Sequence, residues 1–548
     1  MFTPLTGYVN LNCGSLYISI FSLQEKKLII DSGKSTNNTD IILYTSYFSQ
    51  MTKFSFYDVV WVRTNEFNMK IPLILLSGDI ALGVNQWLLR YVRSGSSATT
   101  ISNAIRAIGH LYDFWITREL SEGSEYEVKN LLAEFIDAKR YGTGKHCIAA
   151  KSHFLHNIML DWKPVKPANI KATYLNYIND FDKWQSIVHG AEKMNPSEKR
   201  FLNSYEKYLD EKQRRSWDMF LHLDKARSKT KEVYKNEAAP RSIVKANRLK
   251  NKAAKCFPPD KFIELIESCK NPRDKLLFLL YGAGSLRSCE PLQFFLTDVG
   301  GKDVQGQLKV HLTDPELGDY KWEKDGKFVT TTRTEYIVTN YKNEYLPSGH
   351  PLKNLVPRSS ILDINDSQHA GYKGMSFGAT DIKNNKTDMG IYWCSVDIGR
   401  YAATVFKEYC DTYIYNNPFT NNANPSLWPH HPWLFINISK EHYGLPLSVT
   451  SLKGIWKRAC ARIGLSGYGI HSLRHLFGFY CANVNKLDIG DLSIMLHHSN
   501  PSSTSVYYHL SDPQLRIKLA ESQGINLAVL GIKADFQYQI PQSWKCFR

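Results

Sequence analysis

Paired cysteines are missing from this sequence. The ten that occur in 548 residues, among them Cys13, Cys147, Cys256, Cys289, Cys410 and Cys546, stand singly, with no CxxC pair. That excludes a dense disulfide framework and a paired-cysteine zinc ribbon, and it is the pattern of free thiols in a reducing cytoplasm. Long apolar runs are lacking too. The stretch around Ile71 to Val84 is short and broken by Asp79, so no membrane span is expected, and the N-terminus shows no basic-then-apolar leader. Acidic residues are in deficit: 52 Asp and Glu face 68 Lys and Arg, a net charge of +16. Such a balance favours a polyanionic partner, because neutralisation of phosphates by Lys and Arg is the sequence-independent part of nucleic-acid binding. Charge alone leaves DNA, RNA and an anionic membrane surface open.

What is present is ordinary globular material, 43% apolar and 22% charged, in a chain long enough for two or three domains. Residues 1–75 mix β-branched and aromatic runs, such as Tyr17–Phe21 and Val59–Val62, with Asn, Gly and Ser breaks, which predicts a small β-rich segment. From about 80 the period changes. Ile101, Ile105, Ile108, Leu111, Tyr112 and Trp115 recur at three- and four-residue steps and predict an amphipathic helix, the first of several in a helical region 76–224. Between Lys225 and Lys255 eleven Lys and Arg face two acids, Glu232 and Glu237. That excess of nine supplies over half of the net charge and predicts a basic linker, 225–257, suited to lying along a nucleic-acid backbone. Alternating helices and strands follow over 258–530, then a loosely organised tail, 531–548.

Breaking a phosphodiester without a metal requires a nucleophile, cations for the charge that develops on the phosphoryl oxygens, and a proton donor for the leaving oxygen. Three segments supply these in chain order. The apolar run Leu276–Leu280 leads into Tyr281-Gly-Ala-Gly-Ser-Leu-Arg-Ser-Cys-Glu290, a buried helix ending at a glycine-rich turn that presents Arg287, with Glu290 placed to orient its guanidinium. His471-Ser-Leu-Arg-His475 opens a second helix, and its 471 and 474 positions share a face. His475 sits one step round and is expected to pack inside the domain. Leu496-His-His-Ser-Asn-Pro-Ser-Ser-Thr-Ser-Val-Tyr-Tyr-His509 then sets a histidine pair before two tyrosines. A phenol with its usual pKa near 10 needs a cationic pocket and a proton acceptor to attack.

Arg-x-x-Glu, His-x-Leu-Arg-His, and Leu-x-His-Ser followed nine residues later by Tyr, in that order in a basic chain, resemble the tyrosine recombinase (phage integrase) family. The resemblance runs over about 240–515, and the helical region before it looks like the family's core-binding domain. It implies an α+β, mainly helical architecture: a catalytic domain with a small antiparallel sheet, a helical core-binding domain, and the N-terminal β-rich segment. Carried over, Arg287 and Arg474 resemble the pair that clamps the scissile phosphate, and His471 the histidine that accompanies them. His498 resembles the second histidine and Tyr507 the nucleophile, with Tyr508 the adjacent alternative. The family's general-acid lysine lies in a strand-to-strand hairpin. Here Lys373, in His369-Ala-Gly-Tyr-Lys-Gly374 ahead of a strand expected at Ile391–Cys394, is the first choice and Lys386 the second.

The interval from Arg287 to Arg474, 187 residues, is long for the family and implies an insertion in the hairpin region. Two further departures stand out: Ser285 extends a turn that is commonly Gly-Leu-Arg, and His497 replaces a common Gly. The second of these, with the long insertion, the Glu290-Pro-Leu292 continuation and the His-Ala-Gly-aromatic-Lys segment, looks like the gamma-mobile-trio recombinases of bacterial mobile elements. The resemblance implies a cytoplasmic, nucleoid-associated enzyme that integrates or excises such an element through a 3′-phosphotyrosyl intermediate. Its partner would be double-stranded DNA, held as a homo-tetramer on two sites, with other proteins of the element as further candidates. Neither a cofactor nor a metal is expected, since the histidines of 469–509 lack cysteine or carboxylate partners at ligand spacing. The alternatives are a type IB topoisomerase-like enzyme or telomere resolvase, and a non-catalytic DNA-binding accessory protein.

Overall fold

The computed structural model describes residues 55–63, 69–122, 131–143, 160–191, 193–195, 197–200, 233–236, 256–341, 350, 352–374, 388–419, 431–498 and 503–508. Most of the basic linker, the tail, the first 54 residues and Lys386 lie outside them. The chain divides into two compact units, one of residues 1–62 and 71–250, the other of 63–70 and 251–548. Among the described residues no helix is long and apolar enough to cross a membrane.

In the first unit, β1 (Tyr57–Arg63), β2 (Lys70–Leu76) and β3 (Asp79–Ile80) form a three-stranded sheet in that order. Helices α1 (Leu82–Arg93), α2 (Ala98–Glu122), α3 (Leu131–Tyr141) and α4 (Asn176–His189) follow, the last entered through a short helical turn, Pro167–Ile170, and a π-helical one, Lys171–Leu175. The stripe on α2 is the core face: Ile101, Ile108 and Leu111 are wholly buried, with Trp87, Phe114, Phe135 and Phe181 around them. A four-residue pair, β4 (Ser197–Arg200) with β5 (Val233–Asn236), is antiparallel.

The second unit is built on a helix buried at every position but Lys275. In α6 (Pro272–Gly282), which follows α5 (Asp260–Glu267), Leu276 to Tyr281 are all fully buried. The Asn271 side chain accepts from the Asp274 amide and Pro272 occupies the first turn, which fixes where the helix starts. A strand pair follows, β6 (Val299–Lys302) and β7 (Leu308–Thr313), whose outer neighbour is β10 (Asp388–Gly390), with Met389 opposite Leu312. All three strands are antiparallel. Helix α8 (Val396–Tyr409) runs on into a π-helical turn, Cys410–Ile414, and α9 (Val449–Arg462), α10 (His471–Asn483) and α11 (Ile489–Met495) complete the unit. Both α8 and α10 pack on α6.

The connection between the central strand β7 and the edge strand β10 carries the extra length. It contains a hairpin of β8 (Asp319–Lys324) and β9 (Lys327–Thr332), then α7 (Arg333–Asn340). Trp322, Tyr336, Ile337, Leu352 and Leu355 make a small core of their own with Phe295 and Trp433. A buried ion pair of Arg333 with Asp298 fastens it to the sheet, and Thr313 adds a 2.9 Å bond to the same carboxylate. The strand expected at Ile391–Cys394 falls earlier, at Asp388–Gly390. Past Gly390 one more amide, Ile391, donates to Val310 of β7 at 3.0 Å, and the Trp393 indole donates to Leu308 of the same strand, before the Cys394 amide turns to Ala283 beyond the end of α6.

Candidate active site

Segments separated by up to 210 residues meet where α6 ends. The Arg287 guanidinium is held on three sides: Nη1 lies 2.6 Å from Glu290 and 3.4 Å from the Gly374 carbonyl, and Nη2 lies 2.9 Å from the His497 carbonyl. Glu290 is 1% exposed and also accepts from the Arg287 amide at 2.6 Å, so one carboxylate fixes both backbone and side chain. Arg474, also 1% exposed, donates to the carbonyls of Ser285 and Leu496. Adjacent carbonyls of one turn, Leu496 and His497, therefore each hold one arginine.

That turn is strained in a specific way. His497 has φ +51° and Ser285 φ +64°, a left-handed conformation that costs a residue with a Cβ about 1–2 kcal/mol. The strained conformations aim their carbonyls at the arginines, and the Ser285 hydroxyl ties the two turns together through the Met495 carbonyl at 2.8 Å. The two departures noted in the sequence are thus neighbours, joined in one structural device.

Four histidines surround the arginines. His471 opens α10, and its ring meets that of His475 at 4.5 Å, edge to face. His498 Nδ1 pairs with Thr504 Oγ1 at 2.9 Å. His497 is 1% exposed, with both ring nitrogens unpartnered. Burial first, and then the charges of Arg474 and Arg287, push His498 down to about 4 and His497 to about 3. His471 falls to about 4 through burial, then His475, Arg474, Lys373 and Arg287. All three are therefore neutral at pH 7 and need an anion beside them before they take a proton.

A pH response follows. The unfolded chain's imidazoles bind protons below about 6.5, whereas these folded ones do so only near 4 or 3. Their contribution to stability is present above pH 6.5 and is lost as pH falls toward 4. Thermal melts at pH 7 and pH 5 should show a lower midpoint in acid, and His497→Gly should narrow the gap between them. An unchanged gap would mean that His497 does not resist protonation.

Tyr507 lies in a 3-10 turn, Ser505–Tyr508, 4% exposed, with its hydroxyl 3.0 Å from His475 Nδ1. Burial pushes its pKa up to about 12 while Arg474 pulls it down. Tyr508 turns the other way: its hydroxyl donates to the Leu487 carbonyl at 2.7 Å, and the acids near it are Asp488 and Asp491. His475, expected to be a packing residue, instead touches the phenol. A histidine one step from the motif face carried no signal of this, because the partner lies 32 residues away across the fold.

Lys373 is exposed on a loop whose other polar groups are tied down. The fully buried Arg358 donates to the carbonyls of Gln368, Leu292 and Leu447 at 2.7 to 2.8 Å. His369 Nδ1 donates to the Ile361 carbonyl and Gln293 to that of Gly371. With Gly374 against Arg287, the loop brings the Lys373 charge to bear on His471 and Cys289. The residues singled out by sequence, Arg287, Lys373, His471, Arg474, His498 and Tyr507, thus converge in one basic cluster, whereas Tyr508 is directed elsewhere. Among the described residues no three His, Cys, Asp or Glu are grouped as metal ligands.

Arginines held on carbonyls, neutral histidines and a buried phenol are groups that could hold a phosphate and supply a nucleophile beside it. Residues 382–514 match the model of the phage integrase family. The chain is 28% identical over 151 residues to the tyrosine recombinase XerC of Herpetosiphon aurantiacus, a match covering 28% of this chain and 42% of that one. The chain thus spans less than half the length of this curated relative. Among solved structures, XerH recombinase bound to difH in a pre-cleavage complex aligns at 13% identity over 77% of this chain and 79% of that one, TM-score 0.34. The Tn1549 transposon integrase with circular-intermediate DNA aligns at 12% over 71% and 99%, TM-score 0.30.

Proposed function

We propose that the chain is a site-specific DNA recombinase that cuts and rejoins strands through a 3′-phosphotyrosyl ester, serving the integration or excision of a mobile element. The observation that carries this reading is the convergence of Arg287, Arg474, His471, His498 and Tyr507 at the junction of α6, α10 and the turn after α11. Arg287 and Arg474 would share the scissile phosphate with His471 and His498. Tyr507 would attack in line, and Lys373 would protonate the departing 5′ oxygen. The 5′-hydroxyl of a second strand would then reverse the step. Fixed guanidiniums supply the charge stabilisation in such a scheme, which calls for no divalent ion.

Residues 76–224 and 258–530 would act as the core-binding and catalytic halves of a clamp on duplex DNA. The basic segment 225–257 would lie along the backbone between them, and two protomers on each of two sites would give a tetramer. Cytoplasmic action with other proteins of the element, and kinship to the gamma-mobile-trio recombinases, belong to the same proposal.

The test is covalent trapping on nicked duplexes, drawn from a randomised pool by their attachment to the wild-type protein. An adduct formed by wild type and by Tyr508→Phe but lost in Tyr507→Phe is the expected outcome. Loss only in Tyr508→Phe would move the nucleophile by one residue. No adduct from wild type on DNA that it binds would favour a non-catalytic accessory protein.

A further inference from the structure

Helix α10 does more than carry His471 and Arg474. Tyr507 is seated along it at three points. Its carbonyl accepts from Asn483 Nδ2 at 3.3 Å. Its ring lies on Gly478, where a Cβ would come within 2.7 Å of the phenol Cζ, so any side chain at 478 would displace the ring. Its hydroxyl meets His475 Nδ1 at 3.0 Å. His475 and Gly478, three apart on one helix, face the same way. The seat is specific to Tyr507, since the Tyr508 hydroxyl is committed to Leu487.

A phenol whose proton is to leave needs an acceptor at its oxygen. Among the described residues His475 is the side chain hydrogen-bonded there, and no bond links His471 to Tyr507. Resting on the proposed function, we infer that His475 is the general base of strand cleavage. The Tyr507 O–H bond breaks and its proton passes to the lone pair of Nδ1 as the phenol oxygen forms the bond to phosphorus. The electron pair of the breaking P–O5′ bond leaves with the 5′ oxygen, which is protonated by Lys373. On rejoining, the incoming 5′-hydroxyl gives its proton back to Lys373, and the departing phenol oxygen recovers its own from His475. Nothing is oxidised or reduced.

The role requires a neutral imidazole with its proton on Nε2. Several groups act on the ring or on its partner: Arg474 and His471 on α10 itself, His498 from the turn after α11, Tyr507 from the 3-10 turn, and Cys256 beside Tyr507. Burial and then Arg474 keep the His475 pKa below its ordinary value, so the acceptor form is the resting form at pH 7.

Single-turnover adduct formation on the selected nicked duplex, followed from pH 5 to pH 9, tests the inference with His475→Asn and His475→Gln. In wild type the rate should be level at neutral pH and fall in acid as His475 takes a proton. Both variants should be slower by about 100-fold at pH 7 and should rise with pH toward 9, as solvent base replaces the ring. Glutamine can hold the phenol without accepting its proton, so a wild-type rate in His475→Gln would reduce His475 to a prop and overturn the inference. So would a variant that is uniformly slower with the wild-type pH profile. Thermal melts of both variants separate a lost base from a lost fold. Failure of wild type to attach to any duplex in the pool would strike the proposed function itself.

Discussion

Arg474→Ala is expected to abolish measurable cleavage and to lower the melting temperature in the same protein. Each effect has its own cause. A preorganised cation aimed at developing phosphoryl charge is worth about 10²–10³ in rate, and Arg474 is the more buried of the two arginines at 1% exposure. Its loss also strands the Ser285 and Leu496 carbonyls, at roughly 1–3 kcal/mol for each buried polar group left without a partner. A unit of this size responds with a fall on the order of 10 °C. Lysine keeps the charge but cannot reach two carbonyls with one planar fork, so Arg474→Lys should recover part of the stability and little of the rate. Covalent trapping beside calorimetry reads both quantities. Cleavage by Arg474→Ala within a few-fold of wild type would remove this residue from the phosphate site.

The second large effect lies away from the chemistry. Arg358 is fully buried, yet it makes its hydrogen bonds to three backbone carbonyls of separate segments. Arg358→Met retains much of the volume and removes all three bonds. A loss of about 3 kcal/mol is expected, the stranded carbonyls outweighing the relief of burying no charge. The loop from His369 to Gly374 loses its anchor at Gln368, so cleavage should slow about tenfold through misplacement of Lys373 while affinity for duplex DNA stays level. Chemical denaturation and a filter-binding titration distinguish these. Unchanged stability would show that the carbonyls find other donors.

Much of this site was legible because its chemistry is concentrated in short motifs. The Gly-rich turn before Arg287, the shared face of His471 and Arg474, and the nine-residue step from His498 to Tyr507 are local facts of sequence, and side chains three apart on a helix meet whatever else the fold does. The stripe on α2 was legible for the same reason. What stayed hidden depends on contacts between distant segments. No pattern joins His475 to Tyr507, or tells that Gly478 is bare so that a ring can lie on it. The strand at Asp388–Gly390 is only three residues long, too short for alternation to register, and the aromatic run after it drew the expectation to Ile391–Cys394. Arg358 reads as one basic residue among many; only its burial distinguishes it.

The two arginines are fastened by carbonyls from the turn after α11, while Arg474 also leans on the turn after α6. These anchors come from regions synthesised some 210 residues apart. A ribosome-bound chain that has made Arg287 but not yet residue 497 already carries the basic segment 225–257, and has neither the carbonyls that hold its arginines nor Tyr507. On the proposed function, the site is completed only when the latest of its segments, residues 496–508, has been made. A copy that stops short of that segment would then bind DNA without the means to nick it.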